Sequence, residues 1–404
     1  MKVLQVNSVY GSGSTGIIVR DIQRCCLESG IEGFVSYSLV KKEVKVQNGY
    51  KIGNVFSNKI HALLCRIGGQ QGYFSHISTW KLLRYISELK PDIVHLHNLH
   101  NNYINLPMLL RYLAKHDVAT VLTLHDCWFF TGGCSHFTST GCFRWKLECG
   151  HCPRRYEDFP AYLFDTSSRQ LADRKLMFQS IPNLTVVGAS NWIVQQAKQN
   201  IFANRKCLAI HNGTDTEFFK PTTSDFCSQY NLLGKYVIVS LAAKWYLSIN
   251  KSTINYLTKN VPNDVVFVLI GDSQIKEQQE KVIHLGFIHD RKQLRDIFSA
   301  ADLFVNLTRE DTLPTVNLEV QACGTPIVAY DNTGVAETIA SNAGFTAKDG
   351  DYKTLTDNIL ICREKGKQFF SENCRRFVCN NFDRKKNYKQ YINLYQQITI
   401  EKIN

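Results

Sequence analysis

Glu310-Asp311-Thr312-Leu313-Pro314-Thr315-Val316-Asn317-Leu318-Glu319-Val320-Gln321-Ala322-Cys323-Gly324-Thr325-Pro326 is the stretch on which the fold of this chain turns. The apolar run Leu303-Phe304-Val305 before it reads as a buried strand, and Pro326-Ile327-Val328-Ala329-Tyr330 after it starts the next. Between them Thr312 is expected as an N-cap, Pro314 as a first-turn residue, and Cys323-Gly324 as the helix end. This arrangement puts Asp311 on a loop at a strand's C-terminal end and Glu319 about one turn into a helix. Open parallel sheets bind ligands at that edge, and a helix N-terminus favours phosphate. Carboxylates beside a phosphate site are useful if they accept hydrogen bonds from hydroxyls. The combination suggests a sugar nucleotide.

The segment resembles the Glu-x₇-Glu motif of retaining glycosyltransferases of family 4, which have the GT-B fold, with Asp311 where the first Glu usually stands. Asn332-Thr333-Gly334-Val335-Ala336-Glu337 resembles the Gly-rich, Glu-ended loop that follows in that family. His125-Asp126 and His211-Asn212-Gly213-Thr214-Asp215 extend the match over most of the chain. Each motif is only moderately specific; their order and spacing carry the resemblance.

At 404 residues the chain suits two domains, and 44% hydrophobic content supplies ample core. It opens directly as strand-like Met1–Asn7, with no signal peptide, and has no apolar run long enough to cross a bilayer. A cytoplasmic protein is expected, and its fourteen cysteines are expected as thiols or metal ligands. The net charge of +12 is uneven: residues 1–200 carry 22 Lys+Arg against 13 Asp+Glu, and residues 201–404 carry 25 against 22. The basic first half fits an anionic lipid, a diphosphate-linked acceptor, nucleic acid or a solvated basic surface.

Strand-like runs at Val3–Val6, Ile93–Leu96, Thr120–Leu124 and Leu184–Val187 alternate with helical stretches such as Ile17–Glu28. The pattern restarts after about residue 210 with Tyr236–Leu241, Val265–Ile270, Leu303–Val305 and Ile327–Tyr330. This predicts an α/β chain of two doubly wound, Rossmann-like domains facing each other across a cleft, residues 1–210 and 211–384. Phe377–Ile400 reads as helical, and the resemblance implies that a closing helix, about 385–404, packs back on the first domain.

Gly11-Ser12-Gly13-Ser14-Thr15-Gly16 links the first strand to a helix, where backbone N–H groups can approach phosphate. It lacks the Lys-Ser/Thr ending of a P-loop, but Gly11, Gly13 and Gly16 fit the dinucleotide fingerprint, and Glu32 stands at the spacing of a ribose-binding acid. Cys134, Cys142, Cys149 and Cys152 lie in a Gly-rich loop, and are read as structural zinc ligands or free thiols.

The resemblance implies roles for the remaining residues. His125 would contact the donor sugar. Lys244 and Lys251 would stabilise the leaving diphosphate, where Lys replaces the usual Arg at the first position. Asp311, with Glu310 as an alternate, would bind donor hydroxyls and Glu319 the ribose. Gly13, Gly16, Thr312, Leu313, Pro314 and Glu337 would complete the donor site. The implied reaction moves a hexose-type sugar from a UDP- or GDP-sugar to a hydroxyl of a lipid-linked or polysaccharide acceptor at the inner membrane face, with retention and without a catalytic metal. Three alternatives stay open: a nucleotide-sugar 2-epimerase on the same fold, an NAD-dependent dehydrogenase using the Gly11–Gly16 turn, and a zinc-knuckle nucleic-acid-binding protein.

Overall fold

The computed structural model describes residues 1–157, 160–271 and 281–403. The chain divides into two compact units, Met1–His211 with Tyr388–Asn404, and Asn212–Asn387.

The first unit holds seven parallel strands, β1 (Lys2–Tyr10), β2 (Glu32–Val40), β3 (Gly49–Lys51), β4 (Ile93–Leu96), β5 (Ala119–Leu124), β6 (Leu184–Gly188) and β7 (Lys206–Ala209), in the order β3-β2-β1-β4-β5-β6-β7. The second holds β8 (Tyr236–Leu241), β9 (Val265–Ile270), β10 (Val282–Gly286), β11 (Leu303–Asn306), β12 (Ile327–Asp331) and β13 (Gly344–Lys348), in the order β10-β9-β8-β11-β12-β13. These are two Rossmann-like sheets. Central strands covered by helices on both faces read as near-continuous apolar runs. Every residue of β4, β5 and β11 is accordingly buried.

In each sheet the strand order reverses once, between β1 and β4 and between β8 and β11. A doubly wound sheet opens a ligand crevice beyond its strand C-termini at such a point. The Gly11–Gly16 turn follows β1, and the Lys244 and Asp311 segments follow β8 and β11.

Several expectations are corrected. The helix after β11 runs Thr315–Ala322, so Pro314 rather than Thr312 holds its N-cap position. Phe377–Ile400 is not one helix: Lys367–Asn381 ends at Phe382, and Arg384–Ile403 begins afresh behind Asp383, whose carboxylate accepts from the Lys386 N–H (3.0 Å). Glu32 opens β2 and pairs with Lys2, at the N-terminal end of the sheet. A ribose-binding acid must stand at the other end, so the dinucleotide reading loses its acid.

The His211–Asp215 segment proves to be part of a clasp. The Thr214 N–H donates to the Phe382 carbonyl at 2.9 Å, the Arg384 N–H donates to the Thr214 carbonyl at 3.0 Å, and Arg384 pairs with Asp215 at 2.6 Å. A Cβ on Gly213 would lie 2.5 Å from Arg384 Cα, so only glycine fits. The body of the last helix belongs to the first unit, where Tyr388, Tyr391, Ile392, Leu394, Tyr395 and Ile398 pack with Ile18, Ile22, Ile93 and Val121.

Candidate functional site

In the second unit, hydrogen bonds tie the loops at the strand C-termini together. Asn250 is the hub after β8. Its Nδ2 donates to the carbonyls of Lys244 and Leu307, both at 2.9 Å, and its Oδ1 accepts from Arg309 Nε at 2.9 Å. Arg309 pairs with Asp349 at 2.5 Å and lies 4.1 Å over the Tyr330 ring. Lys244 lies on the short helix Ala242–Trp245, and Lys251 opens the helix Lys251–Asn260 with its side chain exposed. Across the switch point, Asp311 Oδ1 accepts from the Leu313 N–H (3.0 Å), and its carbonyl accepts from the Gly334 N–H (3.1 Å). The acidic loop and the Glu337 loop are thus held against each other, with Glu337 in the turn Ala336–Thr338. Leu313 buries its side chain in the core, and Thr312 Oγ1 is buried with no hydrogen-bond partner among the described residues.

Asn317 anchors the helix that carries Glu319. It accepts from Asn306 Nδ2 and donates to Thr338 Oγ1, both at 2.8 Å, and Gln321 donates to the Thr338 carbonyl at 2.6 Å. Pro314 makes no side-chain cap, and the Asn317 N–H donates to the Pro314 carbonyl at 3.1 Å. Burial pushes the Glu319 carboxyl up to about 7, against the pull of Arg291, which stacks on Phe218 and Phe219. A carboxylate so poorly solvated gains from donors that a ligand brings.

In the first unit, Gly11 and Gly13 adopt φ of +68° and +64° after β1, and Gly11 N–H donates to the Gly16 carbonyl at 2.9 Å. A Cβ on Gly16 would meet the Gly11 N and Val9 O at 3.2 Å, whereas one on Gly13 meets nothing within 4 Å. Gly16 closes the turn, and Gly13 leaves open space above a helix start that has no side-chain cap.

His125 and Asp126 directly follow β5, amid a histidine cluster that sequence reasoning missed. Gln5 Nε2 donates to the Val19 carbonyl (3.1 Å), which turns Gln5 Oε1 toward His97 Nε2 (3.1 Å). That nitrogen therefore carries the proton. Burial holds His97 well below the usual imidazole range, so its Nδ1 is an acceptor and His125 Nε2–H donates to it at 3.0 Å. His125, pushed down to about 4 by burial, is a neutral ring with a fixed tautomer and Nδ1 as its acceptor. His100 meets Asp126 at 2.9 Å. Burial alone would raise the Asp126 carboxyl, but His100, the Trp128 N–H and His136 outweigh it and hold the group low. A 450 Å³ pocket lined by Asp92, Ile93, His116 and Ala119 lies at the N-terminal ends of β4 and β5, away from these groups.

The zinc reading is not supported. Among the described residues no group of three or more His, Cys, Asp or Glu is placed to hold a metal. Burial pushes the Cys134 and Cys149 thiols to about 12 and 11, and raises Cys152. The loop is pinned instead by fully buried Arg174, which donates at 2.6 Å to the carbonyls of Trp128 and Thr131 and lies 3.9 Å over the Trp128 ring. Phe130 and Phe137 pack on Trp145 at 5.0 and 4.9 Å between centroids. The zinc-knuckle alternative has no support among the described residues.

Solved structures share this architecture over nearly the whole chain. Sucrose-phosphate synthase from Thermosynechococcus elongatus matches with a TM-score of 0.71 at 14% identity, covering 99% of each chain. HepE of Anabaena, solved with UDP, matches at 0.66 and 17%, covering 98% of this chain and 100% of that one. The two sheets and these likenesses define a GT-B fold. Two family models match, "Glycosyltransferase Family 4" over residues 58–218 and "Glycosyl transferases group 1" over residues 246–364. The chain belongs to the family 4 glycosyltransferases, and it is a glycosyltransferase. It is 24% identical to WcaC of Escherichia coli K12, described as a colanic acid biosynthesis glycosyl transferase, over 98% of this chain and all of that one. It is 22% identical over 49% of its length, and 56% of the other's, to an E. coli UDP-Gal:alpha-D-GlcNAc-diphosphoundecaprenol alpha-1,3-galactosyltransferase.

Proposed function

We propose that the chain transfers a hexose from UDP to a hydroxyl of a lipid-linked intermediate in polysaccharide assembly, with retention at the anomeric carbon. The observation that carries this reading is the joined set of loops at the β8/β11 switch point, with two lysines on one side and Asp311 and Glu319 on the other. A nucleoside diphosphate asks for that pairing: cations for its phosphates, carboxylates for its hydroxyls. The second unit holds the donor, with Lys251 and Lys244 stabilising the departing diphosphate. Asp311, with Glu310 beside it, accepts from sugar hydroxyls and Glu319 from the ribose. Thr312, Leu313, Pro314 and Glu337 frame that site. The first unit holds the acceptor, with Gly13 and Gly16 shaping its entry turn. Neutral His125 offers Nδ1 to a sugar hydroxyl at the reacting centre, and positioning supplies most of the rate.

HepE was also solved with UDP-glucose, and the named galactosyltransferase uses UDP-Gal and a diphosphoundecaprenol acceptor; both support a UDP-hexose and a lipid-linked partner at a membrane face. The test is a thermal-shift screen with UDP, GDP, ADP, CDP, their sugars and NAD. A ligand at about 100 times its dissociation constant stabilises the fold by roughly 2.7 kcal/mol. A UDP-selective shift lost in Glu319→Ala is the expected result; donor consumption without acceptor points to the 2-epimerase, and a shift with NAD alone overturns the site. The anomeric configuration of the product tests retention.

A further inference from the structure

The helix Val55–Gly68 turns its apolar side outward. Phe56, Ile60, Leu63 and Ile67 form a stripe at helical spacing and are 73%, 44%, 56% and 44% exposed, while His61 and Cys65 face inward. A surface helix that only packs on its own core shows the opposite arrangement. The apolar surface continues at both ends. The Tyr162 N–H donates to the Arg66 carbonyl at 2.8 Å, which brings exposed Tyr162 and Phe164 beside the helix C-terminus. The helix His76–Leu89 begins against it through a 2.7 Å hydrogen bond between His61 Nδ1 and Ser75 Oγ, and exposes Ile77 and Trp80.

Charge selects the occupant. Between Glu43 and Glu88 the chain has no Asp or Glu, yet carries Lys45, Lys51, Lys59, Arg66, Lys81 and Arg84. Lys59 and Arg66 flank the stripe and are exposed, as is Lys81 beside Trp80, while Arg84 is tied to Glu88 at 2.8 Å. We propose that this face of the first unit docks on an anionic lipid bilayer, its apolar stripe entering the headgroup boundary and its cations resting on the phosphates. Apolar, Trp-bearing helices with cations in excess over acids suit that interface. A second copy of the chain would set the same cations against each other. Among the described residues no helix is long and apolar enough to cross a membrane, so attachment through this face would be peripheral. The inference rests on the proposed lipid-linked acceptor for its purpose, and on the face itself for its physics.

The test is sedimentation of the intact chain with vesicles of phosphatidylcholine alone or with added phosphatidylglycerol. The expected result is binding to the anionic vesicles at least about tenfold stronger than to neutral ones, weakened by salt. The double variant Leu63→Asp with Ile67→Asp should lower that binding by at least about tenfold. Lys59→Glu with Arg66→Glu keeps the stripe and should remove the preference for phosphatidylglycerol. The UDP-induced thermal shift, measured without vesicles, should be unchanged in both, which separates a failed docking face from a failed transferase reading. No binding by the parent chain, undiminished binding by the apolar variant, or a dimer of the parent chain that this variant dissociates would each overturn the proposal.

Discussion

Glu319 shows how one side chain can be legible in chemistry and hidden in energetics. Its place eight residues after Asp311 is written in the sequence, but its burial comes from packing around the helix Thr315–Ala322. Because its folded carboxyl is raised to about 7 from an ordinary 4.5, the folded chain binds more protons than the unfolded one between those values. Stability contributed by this group is present at low pH and is lost as pH rises from 4.5 to 7, on the order of 3 kcal/mol. Glu319→Gln should therefore flatten the fall in stability across that window, and be more stable than the parent chain at pH 8 without ligand, while losing the UDP-induced shift. Urea unfolding at pH 5 and pH 8 checks this; an unchanged slope against pH would show that Glu319 is not the group responsible. His97 acts at one remove. Replacing His125 with Ala should lower kcat by about tenfold or more, the worth of one good hydrogen bond at the reacting centre. His97→Ala should lower it less, through the freed tautomer of His125, and leave the donor KM unchanged. A raised donor KM in His97→Ala would place that ring in binding rather than positioning. His97 was missed because polar residues ending an apolar strand, as in Ile93-Val94-His95-Leu96-His97, carry no motif; their signal is polarity where the strand is buried on both faces.

At the scale of elements, the buried central strands were plain because both faces of each are covered and their sequences are mostly apolar. β2, Glu32–Val40, mixes serine and tyrosine into its run, and the edge strands β3, β10 and β13 are short or partly polar, so periodicity alone does not mark them. The Cys-rich loop was misread for a similar reason. Cysteine spacing is visible in sequence, whereas the pin, Arg174, lies 22 residues beyond Cys152 on the helix Ser167–Gln179 and reaches back to Trp128 and Thr131. The two readings predict different behaviour. Chelator should leave the unfolding of the first unit unchanged, and Arg174→Leu should destabilise it by about 2–4 kcal/mol, because two buried carbonyls lose their donor. Chelator-sensitive unfolding, followed by near-ultraviolet circular dichroism of the loop tryptophans, would restore the metal.

The whole molecule depends on a helix that crosses from one unit's sequence to the other's. Tyr395 OH meets His95 Nδ1 at 2.6 Å, His95 Nε2 meets Thr123 Oγ1 at 2.7 Å, and Tyr391 OH reaches the same hydroxyl at 3.1 Å. These bonds enter β4 and β5 directly beneath His97 and His125. No sequence pattern announces a pairing across some 300 residues; it follows only from the sheet order that sets β4 and β5 side by side. Burying the apolar parts of Tyr388, Tyr391, Ile392, Leu394, Tyr395 and Ile398 is worth roughly 10 kcal/mol at ~1.5–3 kcal/mol for a full side chain, as much as a domain's entire net stability of about 5–15 kcal/mol. A chain ending at Asn387 should therefore lose a folded first unit while the second, whose own core lacks these residues, still responds to UDP. Limited proteolysis of that truncated chain should degrade residues 1–211 and spare 212–387. A protected first unit would mean that the remaining sheet and its Ile18, Ile22 and Val121 surface are stable uncovered, and that the final helix serves the site rather than the fold.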